Sequence, residues 1–228
     1  MKIKSYFMAL VGCFIPKYCV ACKSRLADTE QILCSRCLCT LSYSHITNHE
    51  DNIAARLFWG RIPVERAYFH FYYRHDAPSK NLLMALKYGH LPTIGTLWGK
   101  TMATELIKTK FFDEIEAIIP VPLHWLRKLE RGYNQSEQLA RGIAEVTGIK
   151  IDNKLVHRAH YTFSQSKKSV RERAENMRGK FRSGKARYKH VLLVDDVLTT
   201  GATLNSLAEA ILLENPHVKI SILTLAKA

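Results

Sequence analysis

The second half of the chain alternates between short apolar runs and segments whose apolar residues recur every three or four positions. Short apolar runs predict buried strands, and the longer period predicts amphipathic helices. The predicted strands cover residues 64–74, 117–121, 191–194 and 219–225. The predicted helices are one that ends near Tyr88-Gly89, followed by 93–108, 136–146 and 204–212. Strands alternating with helices indicate an α/β fold, a parallel sheet with helices on both faces.

The first part of the chain has a different pattern. Lys2 and Lys4 precede an apolar run over 6–15, which resembles an export signal but is short before Cys13. A transmembrane helix needs about 20 apolar residues, so no membrane span is expected. We interpret 3–15 as a short helix packed on a soluble, cytoplasmic protein. The predicted division is an N-terminal helix and cysteine module at 1–45, a connector at 46–62 and the α/β domain at 63–228.

Six cysteines occur in the chain, and four of them form two pairs, Cys19-Val20-Ala21-Cys22 and Cys34-Ser35-Arg36-Cys37. A two-residue gap lets both sulfurs of a pair face one ion, so two pairs supply the four corners of a structural zinc site. Two disulfides or four unrelated thiols are the alternatives, although disulfides are disfavoured in the cytoplasm. We predict structural zinc held by Cys19, Cys22, Cys34 and Cys37, with Cys13 and Cys39 outside the site.

The net charge of the chain indicates which kinds of partner are favoured. The chain has 34 Lys and Arg against 20 Asp and Glu, a formal net charge of +14. Such a surplus favours phosphorylated metabolites, nucleic acid or an acidic membrane surface as partners, although total charge is equally compatible with a basic protein that has none of them. Residues 158–190 contain eleven Lys or Arg and two Glu, with aromatic residues between them. This stretch is either a solvated basic face or a track for a nucleic-acid backbone.

The segment Asp195 to Thr203 joins the predicted strand at 191–194 to the following helix. Small residues and threonine hydroxyls at a helix start suit a phosphate monoester, because main-chain N–H groups can approach the anion closely. It is neither a Walker A loop nor a dinucleotide fingerprint. Two adjacent carboxylates repel each other without partners, and the vicinal hydroxyls of a ribose would supply them. An ordinary strand–turn–helix in which Asp196 caps the helix is the alternative.

The string from Leu192 to Thr203 resembles the phosphoribosyl pyrophosphate (PRPP) signature of type I phosphoribosyltransferases. Over nearly its full length the chain resembles the ComF/GntX family of bacterial phosphoribosyltransferase-like proteins. The other matching motifs are the paired cysteines, Leu86-Lys87-Tyr88, Pro120-Val121-Pro122-Leu123, Arg131-Gly132-Tyr133-Asn134-Gln135-Ser136, and Thr162 to Gln165 with Arg171, Arg173, Asn176 and Phe181. The resemblance implies a type I phosphoribosyltransferase-like parallel sheet flanked by helices, preceded by a small four-cysteine zinc module.

The resemblance also implies roles for individual residues. It assigns ribose hydroxyls, directly or through Mg²⁺, and the 5-phosphate to Asp195, Asp196, Thr199, Thr200, Gly201, Ala202 and Thr203. It assigns a pyrophosphate loop to Lys87, Arg127, Arg131, Gly132 and Asn134, and a closing loop to Gln165, Arg171 and Arg173. Read without it, the pyrophosphate loop is equally a solvated basic turn in which Asn134 or Ser136 caps the next helix.

Three functions are compatible with these features. The first is Mg²⁺-dependent phosphoribosyl transfer to an unidentified acceptor, with PRPP or ribose 5-phosphate as the ligand. The second is a non-catalytic factor that handles single-stranded DNA, because members of the resembled family support DNA uptake in natural competence together with other competence proteins. The third is a regulator that senses PRPP without turnover. No N-terminal glutaminase nucleophile is evident, and no residue set selects the acceptor.

Overall fold

The computed structural model describes residues 16–75, 77–158 and 180–228. Within these ranges the strands are β1 (Arg66–Tyr72), β2 (Ala117–Pro120), β3 (Lys150–Ile151), β4 (Val156–Arg158), β5 (Phe181–Ser183), β6 (His190–Leu198) and β7 (Lys219–Lys227). The α-helices are α1 (Ser35–Cys39), α2 (Pro78–Tyr88), α3 (Pro92–Leu106), α4 (Trp125–Arg131), α5 (Gln135–Thr147) and α6 (Ala202–Glu214). The N-terminal helix predicted at 3–15 lies outside the described residues.

Five strands form one parallel sheet in the order β1-β7-β6-β2-β3. The central strand β6 is completely buried from Val191 to Val194, as its uninterrupted apolar run predicts. Strands β4 and β5 form a separate antiparallel pair. The predicted α/β class, with a helix-flanked parallel sheet and a four-cysteine module, is confirmed.

The two faces of the sheet carry separate cores. Helices α3 and α5 cover one face through residues such as Met102 and Leu139, and α6 covers the other through Leu207 and Ile211. Helices α3 and α5 approach so closely that a Cβ added to Gly142 would collide with the carbonyl oxygen of Thr96. This close crossing fixes α5, and therefore its first residues, against the sheet.

The cysteine module is part of the main structure. Leu26, Leu33 and Leu41 share a core with Leu82 and Leu86 of α2. The Asn81 side chain also donates a 2.7 Å hydrogen bond to the carbonyl oxygen of Ala21. Residues 42–44, at the end of the predicted module, also pair with the outer edge of β1 through the Tyr43–Phe71 bridge.

Several elements differ from the sequence prediction. Strand β6 continues past 194 to Leu198, since its ladder with β7 runs to the Leu198–Lys227 pair. The basic turn after β2 contains a helix, α4, and the short strands β3, β4 and β5 were not predicted. These strands are two or three residues long, which is too short for a periodic pattern to be visible in the sequence.

Candidate sugar-phosphate site

The two acidic residues lie at the carboxyl end of the central strand. Asp195 and Asp196 belong to β6 itself, beside the end of the parallel strand β2 at Pro120. The first turn of α5 reaches the same edge, where Ser136 Oγ donates a 2.9 Å hydrogen bond to Asp195 Oδ1. In open parallel sheets this edge is where ligands bind. The acids therefore occupy the predicted location, although they lie inside the strand.

The carboxyl group of Asp195 is in an environment that disfavours its charge. Burial, followed by repulsion from Asp196, raises the pKa of Asp195 to about 7. The main-chain N–H of Asp196 and the Ser136 hydroxyl oppose this rise by donating to the same oxygen. A bound cation or a ribose hydroxyl would stabilise the ionised form further. The site is therefore prepared for a positively charged or hydrogen-bond-donating ligand.

Asp196 forms an ion pair with Lys87. Lys87 Nζ lies 3.4 Å from Asp196 Oδ2, and both side chains are largely buried. Lys87 is in the last turn of α2, which is held in place because Tyr133 donates a 2.6 Å hydrogen bond to the Leu86 carbonyl oxygen. The sequence assigned Lys87 to the pyrophosphate loop, and the structure locates it directly beside the carboxylates.

The loop after β6 has the geometry of an anion cradle. Thr199, Thr200 and Thr203 are exposed, and Gly201 adopts φ +74° at the N-cap of α6. No side chain caps this helix, so its first N–H groups point outward without a side-chain acceptor. A Cβ on Gly201 would lie 3.0 Å from Cε1 of Phe58, so both the backbone angle and the space favour glycine here.

The turn after β2 separates into exposed and buried parts. Arg127 and Gly132 are exposed, and Gly132 ends α4 with φ +77°. Asn134 is buried: it caps α5 through the Ser136 N–H and donates to the Val121 carbonyl oxygen at 3.0 Å. In this arrangement Asn134 fixes the loop, as in the capping interpretation left open by the sequence.

Arg131 is also buried, with only 8% of its surface exposed. Its guanidinium lies over the Tyr88 ring, with its carbon 5.1 Å from the ring centroid, and donates a 3.1 Å hydrogen bond to Gln135 Oε1. It therefore packs against Tyr88 of α2 and Gln135 of α5.

The sequence analysis missed two residues of this site. Ser136 was considered only as a possible cap of the next helix, whereas its hydroxyl donates a hydrogen bond to Asp195. Arg158 ends β4, and its guanidinium carbon lies 5.6 Å from the Phe181 ring centroid. Burial, and then the nearby Arg127, lower the pKa of Arg158, while Asp195 acts in the opposite direction. Arg158 is therefore close enough to Arg127 and Asp195 to interact with their charges.

A cavity of about 270 Å³ opens next to these residues. Its lining includes Pro122, Lys128, Asn134 and Arg158. Lys128 and Arg158 give this cavity basic walls, which favour a ligand that carries anionic groups. Gln165, Arg171 and Arg173, predicted for a closing loop, lie outside the described residues.

The four paired cysteines converge at one point. The Sγ atoms of Cys19, Cys22, Cys34 and Cys37 all lie within 4.8 Å of one another, and Cys39 is not part of the group. Sulfurs around a zinc ion at 2.3 Å are separated by about 3.8 Å, and Cys22 Sγ and Cys34 Sγ are 3.6 Å apart. Hydrogen bonds from Ser24 lower the pKa of Cys22 to about 6, which favours a thiolate. The group can hold a metal such as zinc.

Comparisons with known proteins agree with the fold. Residues 95–228 match the family described as Phosphoribosyl transferase domain. Competence protein F of Haemophilus influenzae is 39% identical over 41% of this chain and 43% of its own length. DNA utilization protein YhgH of Escherichia coli O6:H1 is 28% identical over 85% of this chain and 83% of its own. Competence protein ComFC of Bacillus subtilis is 26% identical over 51% of this chain and 46% of its own.

The resemblance to ComF-like proteins is thereby confirmed. Among the described residues, no helix is long and apolar enough to cross a lipid bilayer.

Proposed function

Because the chain belongs to the phosphoribosyltransferase domain family, we propose that it binds PRPP, or its ribose 5-phosphate part, at the carboxyl end of β6. The observation that carries this proposal is the uncapped start of α6 at Gly201, six residues after a carboxyl group with a raised pKa at Asp195. Few ligands require an anion cradle and a hydroxyl-binding acid pair side by side. A sugar phosphate requires both.

In this proposal each part of the ligand has its own partners. The 5-phosphate accepts hydrogen bonds from the main-chain N–H groups at the start of α6 and from the hydroxyls of Thr199, Thr200 and Thr203. Asp195 and Asp196 accept hydrogen bonds from the ribose 2′- and 3′-hydroxyls. Lys87 orients the Asp196 carboxylate through their ion pair. The pyrophosphate lies towards Arg127 and Arg158.

The same acids fit Mg²⁺, a hard cation that prefers carboxylate oxygens and retains several waters. Bound with PRPP, Mg²⁺ would neutralise part of the pyrophosphate charge. The chain's own residues orient C1 of the ribose and place positive charge where the leaving pyrophosphate gains negative charge. The proposed reaction is pentosyl transfer to an acceptor that the described residues do not identify. Binding without turnover, as in a regulator, would use the same contacts.

The proposed cellular role follows from the named relatives, two of which are competence proteins and one a DNA utilization protein. We propose that this chain acts in the cytoplasm in DNA uptake, with single-stranded DNA and other competence proteins as partners. A non-catalytic DNA-handling factor is the second candidate. The net charge of +14 favours a polyanionic partner. In both candidates the four cysteines hold a structural zinc ion.

The central test is calorimetric titration with PRPP and Mg²⁺. We expect Asp195→Asn combined with Asp196→Asn to weaken binding by about a hundredfold, because two hydrogen bonds to charged acceptors are lost. Asp28→Asn combined with Asp113→Asn makes the same change in net charge at exposed positions and should leave affinity unchanged. Equal affinities for the two double variants would refute the ribose contacts.

The DNA role is tested separately with a fluorescent single-stranded oligonucleotide. Because backbone contacts release counterions, the affinity should fall steeply as salt rises. An affinity that does not change with salt would argue against binding through the basic residues of 158–190. Adding PRPP and Mg²⁺ to the same assay tells whether the two ligands affect each other, as expected if both roles coexist.

A further inference from the structure

A second basic cavity lies beside helix α4 and shares Lys128 and Glu137 with the cavity of the sugar-phosphate site. It has a volume of about 540 Å³ and is open to solvent. Its lining includes His90, Lys128, Arg131, Gly132, Glu137 and Arg141. The α2–α3 connection, α4 and α5 each contribute to it, so its walls come from well-packed elements. The roles proposed above leave this cavity unassigned.

The cavity is electropositive. Lys128, Arg131 and Arg141 are basic, and Glu137 is the one carboxylate that the described residues contribute to the lining. Lys128 and Arg141 are exposed, so their charged ends are available to a ligand. Glu137 is partly engaged, because the Asn134 side chain lies 3.4 Å from its Oε1. Charge therefore favours an anionic occupant.

The environment of Arg131 independently indicates that the cavity binds an anion. It is 92% buried, with 8% of its surface exposed, and among the described residues no carboxylate lies within ion-pair distance of it. Its partners, Gln135 and Tyr88, are uncharged, and its Nε has no hydrogen-bond partner there. A buried guanidinium without a counterion is unfavourable. An anion in the cavity that Arg131 lines would relieve this cost.

We propose that this cavity is a second phosphate-binding site, which recognises a phosphate oxyanion through Arg131, Arg141, Lys128 and His90. The planar guanidinium groups match the oxygen geometry of a phosphate. The phosphate belongs either to a small phosphorylated molecule or to a nucleic-acid backbone, and both present the same oxyanion. Because Lys128 also lines the cavity that contains Arg158, occupancy here would influence the pyrophosphate side of the first site.

The first experiment titrates inorganic phosphate into protein labelled with ¹⁵N-arginine and follows the Nε–Hε signals by NMR. We expect saturable shifts of the Arg131 and Arg141 signals, and no shift of Arg61, which is exposed elsewhere. The same shifts should persist in Asp195→Asn combined with Asp196→Asn, which separates this site from the sugar-phosphate site. If neither the Arg131 signal nor the Arg141 signal shows a saturable shift, the cavity does not bind the phosphate of a small molecule.

The second experiment measures binding of a fluorescent twenty-nucleotide oligothymidine by anisotropy. Arg141→Glu should weaken binding by about tenfold if a backbone phosphate occupies the cavity, whereas Arg61→Glu, with the same charge change, should weaken it less than about twofold. Both variants alter exposed side chains and should fold. If Arg141→Glu behaves like Arg61→Glu here and phosphate causes no shifts, the proposal is wrong. Unchanged PRPP affinity of Arg141→Glu is the expected companion result.

Discussion

Ser136 Oγ at the start of α5 donates a 2.9 Å hydrogen bond to Asp195 Oδ1 near the end of β6, although the two residues are 59 positions apart in the chain. This contact links the helix that follows the pyrophosphate side of the site to the acid pair on the sugar side. The close crossing of α3 and α5 at Gly142 holds α5, and with it Ser136, against the sheet. The position of the two acids therefore depends on contacts between parts of the chain that are distant in sequence.

Asp195→Asn should stabilise the ligand-free protein at neutral and higher pH. Burial and Asp196 raise the pKa of Asp195 to about 7, while an unfolded aspartate titrates near about 4. Folding therefore favours the protonated form, and this residue's contribution to stability falls as pH rises from about 4 to about 7. In thermal melts the Tm of Asp195→Asn should exceed that of the wild type. This difference should grow from about pH 4 to about pH 7 and stay constant at higher pH.

The control for this melting series is Asp28→Asn, which changes an exposed aspartate. Its difference from the wild-type Tm should stay flat across the same pH range. A flat profile for Asp195→Asn as well would mean that the environment of Asp195 does not disfavour its charge.

Arg158→Gln should weaken PRPP binding by roughly tenfold, because one charged donor near the leaving group is removed. Arg182→Gln, on the neighbouring strand and exposed, is the matched control. Affinities are measured by calorimetry with Mg²⁺ present. If the two variants bind equally well, Arg158 has no role in ligand recognition.

Metal analysis should find one zinc ion per chain. Cys19→Ser combined with Cys22→Ser should lose it, because two of the four ligands disappear, whereas Cys39→Ser should retain it since Cys39 lies outside the group. Folded wild-type protein without metal would contradict the assignment.

Gly142→Ala should lower the free energy of unfolding by about 1–3 kcal/mol, because the added methyl group meets the Thr96 carbonyl oxygen and separates α3 from α5. Gly184→Ala is the control, since its nearest neighbour would be 3.8 Å away. Chemical denaturation measures both. We also expect Gly142→Ala to weaken PRPP binding, because Ser136 moves with α5.

The sequence predicted most of the sheet and the acid pair, because the run from Val191 to Val194 is apolar and β-branched and the small-residue loop after it is distinctive. It did not predict that β6 continues through Asp195 and Asp196, since aspartate is unfavourable in strands. Pairing with β7 overrides that preference.

The pyrophosphate turn was harder to predict. The resemblance assigned Arg131 to the pyrophosphate loop and gave no indication that its side chain is buried. Its burial depends on Tyr88, which is 43 residues earlier in the chain and packs against its guanidinium. A contact at that separation leaves no periodic signal in the sequence. For the same reason the second basic cavity becomes visible only when the α2–α3 connection, α4 and α5 are assembled.

The pairing of residues 42–44 with β1 has a consequence for the behaviour of the chain without metal. Those residues follow α1 directly and complete the hydrogen bonding of β1 through the Ser44 N–H to His70 and the Tyr72 N–H to Ser42. Loss of a metal held by the four cysteines would release this cover and leave an open strand edge to which another copy could add. Metal-depleted protein should therefore self-associate, and growth in zinc-poor medium should shift it towards the insoluble fraction.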